Sequence, residues 1–200
     1  MLIVRIAIIF LLLLLPFSNL FAQTYTVTGK VNGAGDGWAY IRHRQTEKTD
    51  SGKMINGAFI ISGAISTPEF CSFGLTQNGM KDYYLSFFLE KGRFIMHADK
   101  DSLNDISITL KGGKVEKYFQ QFQKQIDSVN RLRYSQGKTE AAIAQKADAF
   151  ALKHPESYVS ALALLSYEND LSRLSKAYAG LAVEIRRSYY GKLIKAKLGR

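Results

Sequence analysis

Lys53-Met54-Ile55-Asn56-Gly57-Ala58-Phe59-Ile60-Ile61 sets an Asn-Gly pair between two short apolar-rich arms. Asn-Gly readily takes the two positive φ angles of a type I′ turn, so the stretch predicts a β-hairpin. Upstream, Tyr25, Val27 and Val31 alternate with Thr24, Thr26, Thr28 and Lys30, the period-2 pattern of a strand with one buried face. Gly33-Ala34-Gly35-Asp36-Gly37 reads as a turn, and Trp38-Ala39-Tyr40-Ile41 begins a second strand. Downstream, residues 70–75 and 83–89 read as strands, and Glu90-Lys91-Gly92 as a tight connection into Arg93-Phe94-Ile95-Met96-His97. Short strands separated by such turns predict an antiparallel β-sandwich.

After Gly112-Gly113 the period changes. Val115, Tyr118, Phe119, Phe122, Ile126 and Val129 follow the spacing of one stripe on an amphipathic helix. A second helix is expected from Thr139 as N-cap to about Lys153, with Ile143, Ala147, Phe150 and Ala151 inward, and His154-Pro155 ends it. Residues 158–167 are apolar on almost every side and predict a buried central helix. Asn169-Asp170 supplies a cap for a helix carrying Leu171, Leu174, Tyr178 and Leu181, and a final helix carries Ile185, Tyr189 and Leu193. Ser135-Gln136-Gly137 is the one evident soft joint. The expected fold class is α+β: an antiparallel sandwich over residues 23–111, then a small helical bundle over 112–200.

The first 22 residues have the pattern of an export signal. Arg5 precedes an apolar run from Ile6 to Leu15, Pro16 breaks it, and Leu20 and Ala22 stand at −3 and −1 of a cut before Gln23. The run falls short of the roughly 20 residues a membrane-crossing helix needs. No cysteine lies near the cut, so a lipid-modified N-terminus is not expected. The sequence thus predicts an exported protein of the periplasm or cell envelope of a Gram-negative bacterium. The formal charge is +10, and the mature body keeps +9. Export removes nucleic acid as a partner for this excess, leaving anionic lipid or glycan. Arg186, Arg187, Lys192, Lys195, Lys197 and Arg200 concentrate the charge near the C-terminal end. They read either as a solvated helix face complementing the helix dipole or as a contact for an anionic surface.

Candidate chemistry is sparse. The glycines at 33–37 lack the Gly-Lys-Ser/Thr of a phosphate loop and suit a hairpin turn. Gly112-Gly113-Lys114 precedes a helix, where an anion can bind, but reads as a simple β-to-α connector. His43, His97 and His154 have no ligand partner at metal-binding helix spacing. Asp99, Asp101 and Asp105 offer too few oxygens for a calcium loop. No Gly-x-Ser-x-Gly elbow is present. Cys71 is the single cysteine, so no internal disulfide or Cys-x-x-Cys pair can form. Between Phe70 and Ser72 it reads as a buried small hydrophobe. The sequence therefore predicts no catalytic, cofactor-binding or metal-binding residues.

Several stretches taken in order carry a resemblance: Tyr25-x-Val27-x-Gly29-Lys30-Val31, Asp50-Ser51, Asn56-Gly57-Ala58-Phe59 with Gly63, and Phe87-Phe88-Leu89-Glu90-Lys91-Gly92. His154-Pro155-x-Ser157-Tyr158-Val159-Ser160 and Ser188-x-Tyr190-Gly191-Lys192 complete it. Together they resemble an exported domain of unknown function that precedes thioredoxin-like thiol–disulfide oxidoreductase domains in Gram-negative envelope proteins. The redox motif of those relatives, Trp-Cys-x-x-Cys, is absent, because Trp38 and Cys71 are the only residues of their kinds. The resemblance implies an envelope location and a supporting role beside redox chemistry done elsewhere. The expected function is a non-catalytic accessory module with a protein partner, such as a thioredoxin-like domain. Two alternatives stand: a fragment of a longer thioredoxin-like oxidoreductase, and a binding module for an anionic glycan or lipid.

Overall fold

A computed structural model describes residues 23–77, 80–100 and 106–199. The expected signal over 1–22, together with Asp101, Asp105 and Arg200, lies outside them. Eight strands come first: β1 (Gln23–Asn32), β2 (Gly37–His43), β3 (Thr49–Met54), β4 (Ala58–Ile65), β5 (Glu69–Gln77), β6 (Met80–Leu89), β7 (Gly92–Lys100) and β8 (Ile106–Lys111). They form two four-stranded sheets, ordered β4-β1-β7-β8 and β3-β2-β5-β6. The sandwich is mostly antiparallel, as expected, but β1 and β7 pair in parallel, Tyr25 opposite Gly92. Local alternation cannot report that pairing, since β1 and β7 are joined through five intervening strands.

The expected hairpin is instead a turn between sheets: Asn56, at φ 50, and Gly57, at φ 77, carry the chain from β3 to β4 in the other sheet, with only the Ile55–Ala58 bridge between the arms. A Cβ on Gly57 would lie 2.2 Å from the Val31 carbonyl oxygen, so glycine is required there for proximity as well as conformation. On the opposite side, edge strands β6 and β8 leave an opening. Helix α1 (Lys114–Asn130) closes part of it. Gln120 donates from Nε2 to the Leu110 carbonyl at 3.0 Å, and Glu116 accepts from the Phe88 N–H at 2.7 Å. Side chains thereby satisfy groups that an edge strand would leave open.

Phe87 and Leu89 point into the sandwich core with Tyr25, Phe73, Phe94 and Met96. Phe88, between them, points outward into a second core. Its ring lies 5.4 Å from Phe70 and 5.6 Å from Phe119, and Phe70 is 5.3 Å from Phe119. This aromatic trio seats the helices. They continue as α2 (Gln136–Lys153), α3 (Tyr158–Tyr167), α4 (Leu171–Gly180), α5 (Val183–Arg187) and α6 (Tyr189–Lys197). The predicted central helix appears with its expected limits, capped by Ser157, and Asp170 caps α4 through Ser172 and Arg173.

Two details of the helices also differ from expectation. Helix α2 starts at Gln136 with Ser135 as N-cap, so Thr139 lies inside it and the supposed joint is its first turn. The last helix is two, because Ser188 turns the chain and its Oγ accepts from the Gly191 N–H. That break rotates the buried stripe onto Ile185, Tyr190 and Ile194, leaving Tyr189 and Leu193 exposed.

Glu116 makes the junction pH-sensitive. Burial raises its pKa to about 7, against the opposing pull of the Phe88 and Gln120 hydrogen bonds. Between about 4.5 and 7 the folded state holds a proton that the unfolded chain has lost, so stability falls as pH rises. The full loss above pH 7 is about 3 kcal/mol at most. In Glu116→Gln, thermal melts at pH 5 and pH 8 should lie closer together than in the wild type. An equal decline in both proteins would reject this assignment.

Candidate functional site

Tyr25, His43, Asp50, Glu69 and Cys71 gather at one end of the sandwich. Glu69 and Cys71 are two apart on β5 and share its inner face, while His43 on β2 stands opposite Cys71 in the antiparallel register. All but Asp50 are buried. His43 Nδ1 is 2.9 Å from Glu69 Oε2 and 3.7 Å from Cys71 Sγ. Its Nε2 is 3.1 Å from Asp50 Oδ2 and 3.3 Å from the Tyr25 hydroxyl, which itself donates to Asp50. Gly63 makes room for this arrangement: a Cβ there would lie 2.3 Å from Asp50 Oδ2 and 2.8 Å from the Tyr25 oxygen.

The electrostatics follow from burial and two carboxylates. Burial alone would lower the imidazole pKa, but the hydrogen bonds and charges of Glu69 and Asp50 outweigh it and raise His43 above its ordinary value. Burial, then Glu69 and Asp50, pushes the Cys71 thiol far up, with Arg44 a lesser opposing pull. Burial and the Asp50 hydrogen bond raise Tyr25 likewise. A nucleophilic cysteine needs an accessible thiolate. Cys71 has neither access nor a depressed pKa, in keeping with the buried reading from sequence.

Other candidates separate in space. Asp99 lies on β7 and accepts from Asn32 Nδ2 at 2.7 Å. His97 is exposed, and His154 packs between Tyr118 and Phe150. The anion position at the start of α1 is taken by the chain's own Glu90, whose Oε1 accepts from the Val115 N–H at 3.1 Å. In the basic C-terminal group, Arg186 donates to the Ala179 carbonyl and Lys197 to the Glu168 carbonyl, each at 3.0 Å. Those two cap helix ends. Arg187, Lys192 and Lys195 remain exposed. Sequence reasoning missed the His43 cluster because motif spacing looks along one element. The available clue was the odd placement of His43 and Glu69 within apolar strand patterns.

A second feature lies on the outer face of the β3-β2-β5-β6 sheet. Trp38, Tyr40, Arg42 and, just past the strand, Arg44 alternate with the inward Ala39, Ile41 and His43. Arg42, Arg44, Glu47 and Ser72 line a surface cavity of about 250 Å³. Arg44 is oriented there, with Nε donating to Ser72 Oγ at 3.0 Å and its guanidinium over the Phe70 ring.

The buried cluster sets two expectations. Cys71 in the native protein should react with a thiol reagent at least about 100-fold more slowly than in denaturant. His43→Ala should cost about 3–5 kcal/mol in urea unfolding, because it leaves the Glu69 carboxylate buried without its partner. Rapid native labelling, or a near-neutral His43→Ala, would show that the cluster is open to water.

No curated protein matches the chain. Residues 25–119 match a family model described as "Domain of unknown function (DUF4369)". The matched span begins at Tyr25 of the buried cluster and ends at Phe119 of the aromatic trio, so it takes in the sandwich from that tyrosine onward and the part of α1 that seats on it: this region is similar to a domain of unknown function.

Proposed function

We propose that the chain is a non-catalytic accessory module of the cell envelope that works by binding an acidic protein surface. The observation that carries this reading is the division of β2 into two faces. Its potentially reactive side chain, His43, is sealed inward with Glu69 and Cys71, whereas Trp38, Arg42 and Arg44 are offered outward. Trp38 is 46% exposed, unusual for so large an apolar group, and Trp and Arg are the residues most enriched at binding hot spots. Lys53, opposite Trp38 on β3, adds a third exposed cation, and among the described residues that line the cavity Glu47 is the one acid. Electrostatic complementarity then favours an acidic partner and speeds its encounter.

Export rests on the pattern of residues 1–22, and the partner class on the resemblance to domains that precede thioredoxin-like oxidoreductases. A thioredoxin-like domain with an acidic face is the partner we assign. A single buried thiol gives this chain no dithiol to cycle, so any electron transfer belongs to that partner.

The test is calorimetric titration of the chain with a purified thioredoxin-like envelope domain from the same cell. Saturable, salt-sensitive binding is expected, weakened at least about 10-fold by the Arg42→Glu/Arg44→Glu double variant. Disulfide reductase activity of the chain alone should not exceed background. Absent binding, binding indifferent to the charge reversal, or turnover by the isolated chain would each overturn the proposal.

A further inference from the structure

The His43 cluster brings together three donor atoms of different kinds. His43 Nδ1, Glu69 Oε2 and Cys71 Sγ all lie within 4.8 Å of one another. The other imidazole nitrogen is already committed, since Nε2 faces Asp50 Oδ2 at 3.1 Å. A carboxylate behind a histidine is the usual way that a metal-binding imidazole is oriented and made more basic. Here it fixes the ring so that Nδ1 faces Glu69 and Cys71.

Distances decide how well an ion would fit. Zinc bonds of about 2.0–2.2 Å to nitrogen and oxygen and about 2.3 Å to sulfur, at tetrahedral angles, separate nitrogen from sulfur by about 3.6 Å and from oxygen by about 3.4 Å. The nitrogen–sulfur distance is already 3.7 Å. The nitrogen–oxygen distance is 2.9 Å, that of an ordinary hydrogen bond, and would widen by about 0.5 Å. Charge balance is equally favourable. Without metal, one proton sits between Nδ1 and Oε2 and another on the thiol. A divalent ion takes the place of both, so the net charge of the buried set does not change. That removes the large cost which normally bars an added charge from a protein interior.

We propose that His43, Glu69 and Cys71 form a binding site for a zinc-class divalent ion, with Asp50 as the positioning residue. On binding, Zn–N, Zn–O and Zn–S bonds form, the Cys71 S–H bond and the His43 Nδ1–H bond break, and those two protons leave to solvent. The mixed nitrogen, oxygen and sulfur set selects zinc or cobalt over magnesium and calcium, which take oxygen ligands. Asp50, with its side chain one-third exposed, marks the point where the cluster meets solvent. The ion would tie β2 to β5 at the rim of the sandwich, beneath Arg42 and Arg44. This site stands independently of the partner proposed above.

The test uses the purified chain, stripped with a chelator and titrated with Co²⁺ and with Zn²⁺. The expected result is one ion per chain, a thiolate-to-cobalt charge-transfer band, and release of about two protons, read from the buffer dependence of the binding heat. Cys71→Ser should abolish the band and weaken binding at least about 100-fold. Asp50→Asn should keep the band while weakening binding about 10- to 100-fold, the loss seen when an orienting partner is removed. X-ray absorption of the zinc-loaded wild type needs no variant and should show one sulfur scatterer. Absence of saturable binding, a spectrum fitted by nitrogen and oxygen alone, or binding unchanged in a folded Cys71→Ser would each overturn the site.

Discussion

The N–H of Phe88 donates to a helix side chain, and around that bond the two cores are joined. Glu116 reaches down from α1 to accept it, while the Phe88 ring enters the helical core and its neighbours Phe87 and Leu89 fill the sandwich. One strand therefore has a dry face on each side, the condition that usually calls for a central strand flanked by layers. Here the strand is an edge, and the missing neighbour is replaced by a carboxylate and an aromatic trio. A buried acid is costly unless its oxygens are satisfied. Glu116 meets this with the Phe88 N–H on one oxygen and Gln120 Nε2 on the other. Glu90 secures the start of the same helix, accepting from Val115, so the first turn of α1 is fixed from two directions.

Much of this architecture could be read from local pattern. Asn56-Gly57 announces its turn because two positive φ angles are needed within two residues, and few other pairs supply them. The stripe from Val115 to Val129 announces α1 because every 3.6-residue step lands on the same buried face. What local pattern could not show is set by packing at a distance. The parallel pairing of β1 with β7 joins segments more than sixty residues apart. The break at Ser188 depends on a hydroxyl that caps one helix while receiving the chain from another, and a single periodic stripe hides the rotation. The buried cluster is the clearest case. His43, Asp50, Glu69 and Cys71 come from three strands and meet only because of the registers His43 to Cys71 and Ile41 to Asp50.

Four of the stretches that carry the resemblance meet at two places in the fold. Tyr25, Asp50 and Gly63 are far apart in sequence, yet the tyrosine hydroxyl bonds the aspartate and the glycine leaves room for both. Phe88 and Glu90 both hold α1, one by ring and backbone, the other by its side chain. The resemblance thus samples two structural knots: the rim of the sandwich and the seat of the helices. At the rim, His43, Glu69 and Cys71 are buried while Trp38, Arg42 and Arg44 are exposed, and this separation underlies the proposed reading of the chain as a binding module.

The sealed cluster and the exposed cations are linked through the pleat of β2. A slip of one residue in this strand would send His43 outward and carry Arg42 or Arg44 into an apolar core. Either change is expensive: the arginine would be an unpaired buried charge, and Glu69 would lose the imidazole that faces it. Apolar alternation alone, Ala39 and Ile41 against Trp38 and Tyr40, discriminates weakly, since all four tolerate partial burial. The His43–Glu69 pair makes the choice of register steep. A buried ionic contact is poor evidence for added stability, but it is an effective device for excluding a wrong pairing. On this view the interior cluster is what keeps Trp38, Arg42 and Arg44 on the outside, and the outer face of β2 owes its composition to chemistry on the other side of the same strand.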